Sequence, residues 1–185
     1  MMRTVPRFAL PLLGAALLAA ACGGPSNTAS SSPSPTTTSQ HIASVDACTL
    51  VTAAEASAAV GSAVTNVAAT SGVQIPGACI YGSSESSAGV FVYAQVYPDT
   101  TTADAVQPDQ IATILAGQLG VSNAHSVSGI GDKAFEYSAA GSGENGIAIF
   151  VFKANVVMMI VVNPTTNSAS VEQLARTAVS RLKAG

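Results

Sequence analysis

The sequence predicts an α+β domain: one antiparallel sheet of about six strands with three packed helices, in the order α-βββ-α-βββ-α. Three observations carry this. Capping residues followed by apolar side chains at helical spacing occur near positions 52, 108 and 170. Between them stand two groups of three strand-like runs, punctuated by Gly, Ser and Pro. The last two runs, "GIAIFVF" and "VVMMIVV", are apolar at successive positions, so each is expected at the sheet centre with both faces covered.

The elements follow in order. Thr52 and Glu55 fit a capping box, "AAEASAAV" continues as helix, and Gly61 is a fitting stop. "SAVTNVAA", "GACIYGS" and "GVFVYAQVYP" read as three strands. Pro108 with Asp109 announces a second helix, whose apolar residues Ile111, Ile114, Leu115 and Leu119 precede Gly120. "KAFEYSA" and the two apolar runs are the next three strands, with Lys153-Ala154-Asn155 as the tight turn of an antiparallel hairpin. Ser170 and Gln173 form a capping pair for the last helix. Val171, Leu174, Ala175, Ala178, Val179 and Leu182 make its apolar stripe, Glu172 and Arg176 pair at i,i+4, and Arg181 and Lys183 suit its negative end.

At 185 residues, 48% hydrophobic and 9% charged, the chain holds one domain with an ordinary core. Beyond Arg3 and Arg7, five basic residues face ten acids, a net charge of −5 for the body. That balance repels phosphate backbones, and no basic patch interleaved with aromatics offsets it, so nucleic acid is not an expected partner.

The N-terminus carries the strongest signal. Arg3 and Arg7 precede an apolar run from Phe8 to Ala21, whose 14 residues would make a helix of about 21 Å, short of the roughly 30 Å hydrocarbon core. Residues 1–21 therefore read as an export signal. The ending "AAACGG" resembles the lipobox of bacterial lipoproteins, in which the cysteine, here Cys22, receives a diacylglyceryl group and becomes the mature N-terminus. The aliphatic residue usual three places before that cysteine is Ala19 here, with Leu18 one place earlier. Ala19-x-Ala21 also fits ordinary signal cleavage, which would release a soluble secreted protein. From residue 22 to 44 the chain is rich in Ser, Thr, Pro and Gly and is expected to be a disordered tether, with a reach of roughly 25 Å. Its composition also suits O-linked sugars. The single α+β domain is then expected over residues 45–185.

Cysteine arithmetic favours lipidation. Three cysteines in an exported chain leave one thiol to explain. With Cys22 lipidated, Cys48 and Cys79 remain to pair in an oxidising compartment. No CxxC or His-rich companion supports a redox or zinc site, and no metal is expected.

Other candidate sites are weighed one at a time. Gly129-x-Gly131-x-x-Ala134 and Gly141-x-Gly143-x-x-Gly146 approach the dinucleotide fingerprint, but strand-like sequence rather than a helix follows each, so they read as turns, with no nucleotide or other cofactor expected. His125 is the one base available to a folded site. Ser126, Ser128 and Asp132 lie near it, but adjacent residues along a strand point to opposite faces and no G-x-S-x-G elbow is present, so no catalytic residue is assigned. Asp99, Asp104 and Asp109 lack a calcium-loop pattern and suit a solvated helix entry. Met158 and Met159 are candidate walls of an apolar pocket, with core filling as the default, and Tyr81, Tyr93 and Tyr97 are a candidate aromatic surface.

"DACTLVTAAEASAAVG", followed about thirty residues on by "GACIYGS" and later by "VSGIGDKAF", resembles the small actinobacterial envelope lipoproteins grouped as a domain of unknown function. Cys48, Leu50, Thr52, Glu55 and Cys79 match that family's opening pattern, and Gly129, Gly131, Asp132 and Ala134 its turn, over roughly Asp46 to Leu182. The resemblance implies a disulfide-bonded α+β lipoprotein on the outer face of the cytoplasmic membrane and implies no known activity. The expected function is a membrane-anchored, non-enzymatic module binding an envelope protein or an apolar ligand. The alternative is a small hydrolase using His125 with a nearby serine.

Overall fold

A computed structural model describes residues 41–72, 74–110, 122–139 and 145–183. The export signal, Cys22 and the tether up to residue 40 lie outside these residues, as do 111–121 of the predicted second helix and the glycines at 141 and 143.

The described chain forms α1 (Ala47–Leu50), α2 (Ala53–Val60), β1 (Thr65–Asn66), α3 (Val67–Ser71), β2 (Ala78–Gly82), β3 (Gly89–Val96) and α4 (Thr100–Asp104). Then follow β4 (Ser122–Val127), β5 (Lys133–Ala139), β6 (Gly146–Lys153), β7 (Val156–Asn163) and α5 (Ser168–Ser180). Residues 108–110 are also helical. The predicted α+β class with one antiparallel sheet holds, but the sheet has seven strands in the order β1-β2-β3-β7-β6-β5-β4. Two meanders, β1–β3 and β4–β7, join where β3 pairs with β7.

The two doubly apolar runs occupy the sheet interior as predicted. Every residue of β6 and β7 before the last is buried. Alternation sorts their side chains onto two faces. Ile147, Ile149, Val151, Met158, Ile160 and Val162 join the core beneath the helices, with Leu50, Ala56, Val171 and Ala175. On the second face Phe150, Phe152, Val157 and Met159 cluster with Tyr137 and with Ala103 of α4.

Five elements depart from the prediction, one being α4, a helix started by the Asp99 cap and absent from the predicted order. The run "SAVTNVAA" is strand only at Thr65–Asn66, because the Asn66 side chain accepts from the N–H groups of Ala68 and Ala69 and so starts α3. Cys48 lies on an added helical turn, α1, capped by Asp46 and directly preceding the capping-box helix. The last helix begins at Ser168, capped by Asn167, rather than at the Ser170–Gln173 pair. The added strand β4 is a polar sheet edge whose sequence "SNAHSV" has no apolar alternation to announce it.

The capping box at Thr52 forms and extends across the fold. Thr52 N–H donates to Glu55 Oε2 at 2.8 Å, and Glu55 N–H to Thr52 Oγ1 at 3.3 Å. Arg181, just past α5, donates to both Glu55 oxygens at 2.7 and 2.6 Å and to the Leu50 carbonyl at 2.7 Å. The Arg181 guanidinium bond, against some burial, holds the Glu55 carboxyl down to about 2 from 4.5. A depressed carboxyl contributes stability that is present above its ordinary value and lost as pH falls through the folded one. Replacing Arg181 with Met is therefore expected to cost about 1–2 kcal/mol at pH 7, modest because both side chains are about a third exposed. Urea unfolding of the two proteins should converge as pH drops from 4.5 toward 2. A gap that ignores pH would refute the assignment.

Candidate functional site

Cys48 and Cys79 are joined by a disulfide with their Cα atoms 4.9 Å apart, tying α1 to β2. Asn66 Nδ2 sits 3.5 and 3.2 Å from the two sulfurs while its oxygen caps α3, so the bridge, α1 and α3 form one knot at this sheet edge. Cys22 lies outside the described residues.

The Gly129–Asp132 turn joins β4 to β5, with a strand and not a helix behind it. Gly129 and Gly131 take φ of 75° and 62°, and Ile130 between them is buried in the helix-side core. Asp132 N–H donates to the Phe152 carbonyl at 2.8 Å. Its carboxylate accepts from the Lys153 ammonium at 2.8 Å and from the Ala154 N–H at 2.7 Å. Partial burial pushes that carboxyl up, but the bonds from Lys153 and Ala154 leave it below the usual range. The turn thus clamps the β6–β7 hairpin at Ala154, which itself has a positive φ of 51°. The predicted tight turn is present, and Gly131 of the first glycine pattern packs closely against the β6–β7 hairpin.

His125 and Ser126 fall on opposite faces of β4, since His125 pairs with Glu136 and Ser126 with Phe135. Ser128 lies in the turn after β4. What meets His125 was not legible in sequence: Glu136 is 2% exposed, with Oε1 3.5 Å from the largely exposed imidazole. Ser168, the first residue of α5, donates to the same oxygen at 2.6 Å. The carboxylate stands between serine and imidazole, so the imidazole is not the base that receives this hydroxyl's proton. Glu136 instead places a carboxylate at the start of α5, where negative charge suits the helix dipole.

The acidic set resolves into separate structural roles. Asp99 caps α4 by accepting the Thr102 N–H at 2.7 Å, Asp104 pairs with Lys133 at 2.8 Å, and Asp109 accepts from the Tyr137 hydroxyl at 3.0 Å. Burial and then the Asp109 bond raise the Tyr137 phenol above its usual value. Among the described residues no group of three or more His, Cys, Asp or Glu side chains is gathered to hold a metal. No described helix is long and apolar enough to cross a membrane.

The tyrosines and methionines divide between faces. Tyr81 is buried on the helix side, its hydroxyl donating to the Val51 carbonyl, and Met158 lies in the same core. Met159, Tyr93 and Tyr97 belong to the second face, where they line a cavity of about 240 Å³. Its floor is built by register: Tyr93 stands beside Met159, Gln95 beside Val157, and Phe150 on the far side of Met159. Phe91 extends the wall, and Ile75, from the loop before β2, stands 46% exposed at its margin. No lining residue is charged, and the Tyr93 hydroxyl is occupied by Gln95 Oε1 at 2.9 Å. The sequence offers Met159 as a pocket wall and Tyr93 and Tyr97 only as an aromatic surface, and it misses Phe91, Phe150, Val157, Gln95 and Ile75. The alternation within each strand was a signal for the first three, but which strands were neighbours was not. Neither a protein-family model nor a curated protein matches the chain.

Proposed function

We propose that the protein is a membrane-anchored, extracytoplasmic lipoprotein of the cell envelope whose folded body binds an apolar ligand on the second face of its sheet. The observation that carries the reading is the uncharged, aromatic- and methionine-walled cavity at Tyr93, Phe150 and Met159. Small-molecule sites are concave and mostly apolar with a few polar groups, and this cavity has that character. Methionine adapts its shape to irregular apolar guests. The address rests on the "AAACGG" ending and the likeness to actinobacterial envelope lipoproteins, and the Cys48–Cys79 bridge suits an oxidising compartment.

The test uses the full chain and N-phenyl-1-naphthylamine, an uncharged dye that brightens in apolar surroundings. Saturable brightening is expected. Ile75→Glu, which puts a charge at the cavity margin, should weaken binding about tenfold or more because the dye would bury that carboxylate. Ile75 is exposed, so the melting temperature should barely move. Absence of brightening, or equal binding by the variant, would remove the apolar-ligand reading.

A further inference from the structure

The cavity lies beside the point where the chain enters the folded body. Ile42, which the sequence assigns to the tether, is 2% exposed. Its N–H donates to Asn155 Oδ1 at 2.8 Å, and its carbonyl accepts from Asn155 Nδ2 at 2.9 Å. The same Nδ2 donates to the Tyr97 carbonyl at 2.8 Å, and the Tyr97 N–H donates to the Asn155 carbonyl, also at 2.8 Å. Tyr97 is a wall of the cavity. One buried amide on the β6–β7 turn therefore binds the entering chain and the cavity wall together. A buried amide with these partners is held by several hydrogen bonds at once, so this juxtaposition is a fixed part of the fold.

Resting on the reading above, we infer that the occupant of the cavity is an acyl chain of a lipid drawn from the membrane to which Cys22 is attached. Twenty residues separate Cys22 from Ile42, at most roughly 70 Å at full extension. The end of the sheet carrying Asn155 and Tyr97 is thus the end leashed to the bilayer, and the nearest reservoir of apolar ligand is the bilayer itself. The size of the site narrows the guest. At about 240 Å³ it falls below the roughly 300–1,000 Å³ of pockets that engulf drug-sized molecules, so it takes a length of one acyl chain and not a whole lipid. The lining has no charged side chain to receive a headgroup, so the polar end of the lipid stays outside while the chain enters.

The full chain carrying N-phenyl-1-naphthylamine is titrated with saturated fatty acids of increasing length. Competition should strengthen about fourfold per added methylene until the cavity is full and then level off. In a second arm, phosphatidylglycerol vesicles contain a phospholipid with a pyrene-labelled acyl chain. The protein should lower pyrene excimer emission, and Ile75→Glu should not. Dye binding without chain-length dependence would overturn the acyl inference and leave the apolar-ligand reading standing. Fatty-acid binding without uptake from vesicles would overturn the membrane source. Loss of dye binding itself would sink both.

Discussion

Reduction of the Cys48–Cys79 bridge, or its replacement by the Cys48→Ser and Cys79→Ser double variant, is expected to lower stability by roughly 3–4 kcal/mol. The bridge closes a loop with a sequence separation of 31 residues, and the chain-entropy model assigns a closure of that length this magnitude. The native contacts at the bridge add a local consequence. Cys79 is buried in the helix-side core, and Asn66 approaches both sulfurs while capping α3, so opening the bridge loosens α1 and α3 at the same edge where β1 contributes only two residues. Protection from amide exchange should fall first in α1, β1 and α3, while β6 and β7 stay protected to the global limit. Thermal unfolding with and without reductant should show a drop of roughly 10 °C or more. An unchanged midpoint would mean that the bridge constrains nothing that packing does not already hold.

The elements visible in the sequence are those whose determinants are local. A capping box needs residues three apart, and Thr52 with Glu55 makes one. Burial on both faces demands apolar side chains at successive positions, and β6 and β7 supply them. Pairing of Cys48 with Cys79 is what the sequence leaves once Cys22 is set aside as the expected lipid site. What was hidden depends on a single side chain or on long-range register. Asn66 turns a strand-like run into a helix by one cap, and Asn167 moves the start of α5 two residues before the Ser170 signal. The edge strand β4 is polar because solvent, not a core, meets it at Ala124, His125 and Ser126. Glu136 occupies an inward position of β5 and reads as a solvent-facing residue until Ser168, 32 positions later, is brought against it. The cavity is the extreme case, since its floor exists only once β3, β7 and β6 lie side by side in the observed register. Ile42 likewise shows no pattern of its own, and its place in the core follows from Asn155, 113 residues away.

Gly131→Ala and Gly129→Ala make a matched pair within one turn, and their costs are expected to differ sharply. Both glycines have positive φ, which any residue with a Cβ occupies at roughly 1–2 kcal/mol. At Gly129 nothing lies within 4 Å of an added Cβ, so that backbone penalty is the whole effect. At Gly131 the added carbon would stand 2.5 Å from the Phe152 carbonyl oxygen and 2.7 Å from Val151 Cγ1. The oxygen cannot retreat cheaply, because it accepts the Asp132 N–H and lies in a strand whose flanking pairs are both formed. The turn must move away instead. That breaks the Asp132–Phe152 bond, pulls the Asp132 carboxylate off Lys153 and the Ala154 N–H, and lifts Ile130 from the core. The sum is expected to be about 3–5 kcal/mol, against about 1–2 kcal/mol for Gly129→Ala, as read by urea unfolding. Asp132→Asn should cost only about 1 kcal/mol or less, since the amide oxygen can still accept the Ala154 N–H and the lost charge pair with Lys153 is half exposed. Equal costs for the two glycine variants would show that conformation alone, and not close approach to the β6–β7 hairpin, fixes glycine at 131.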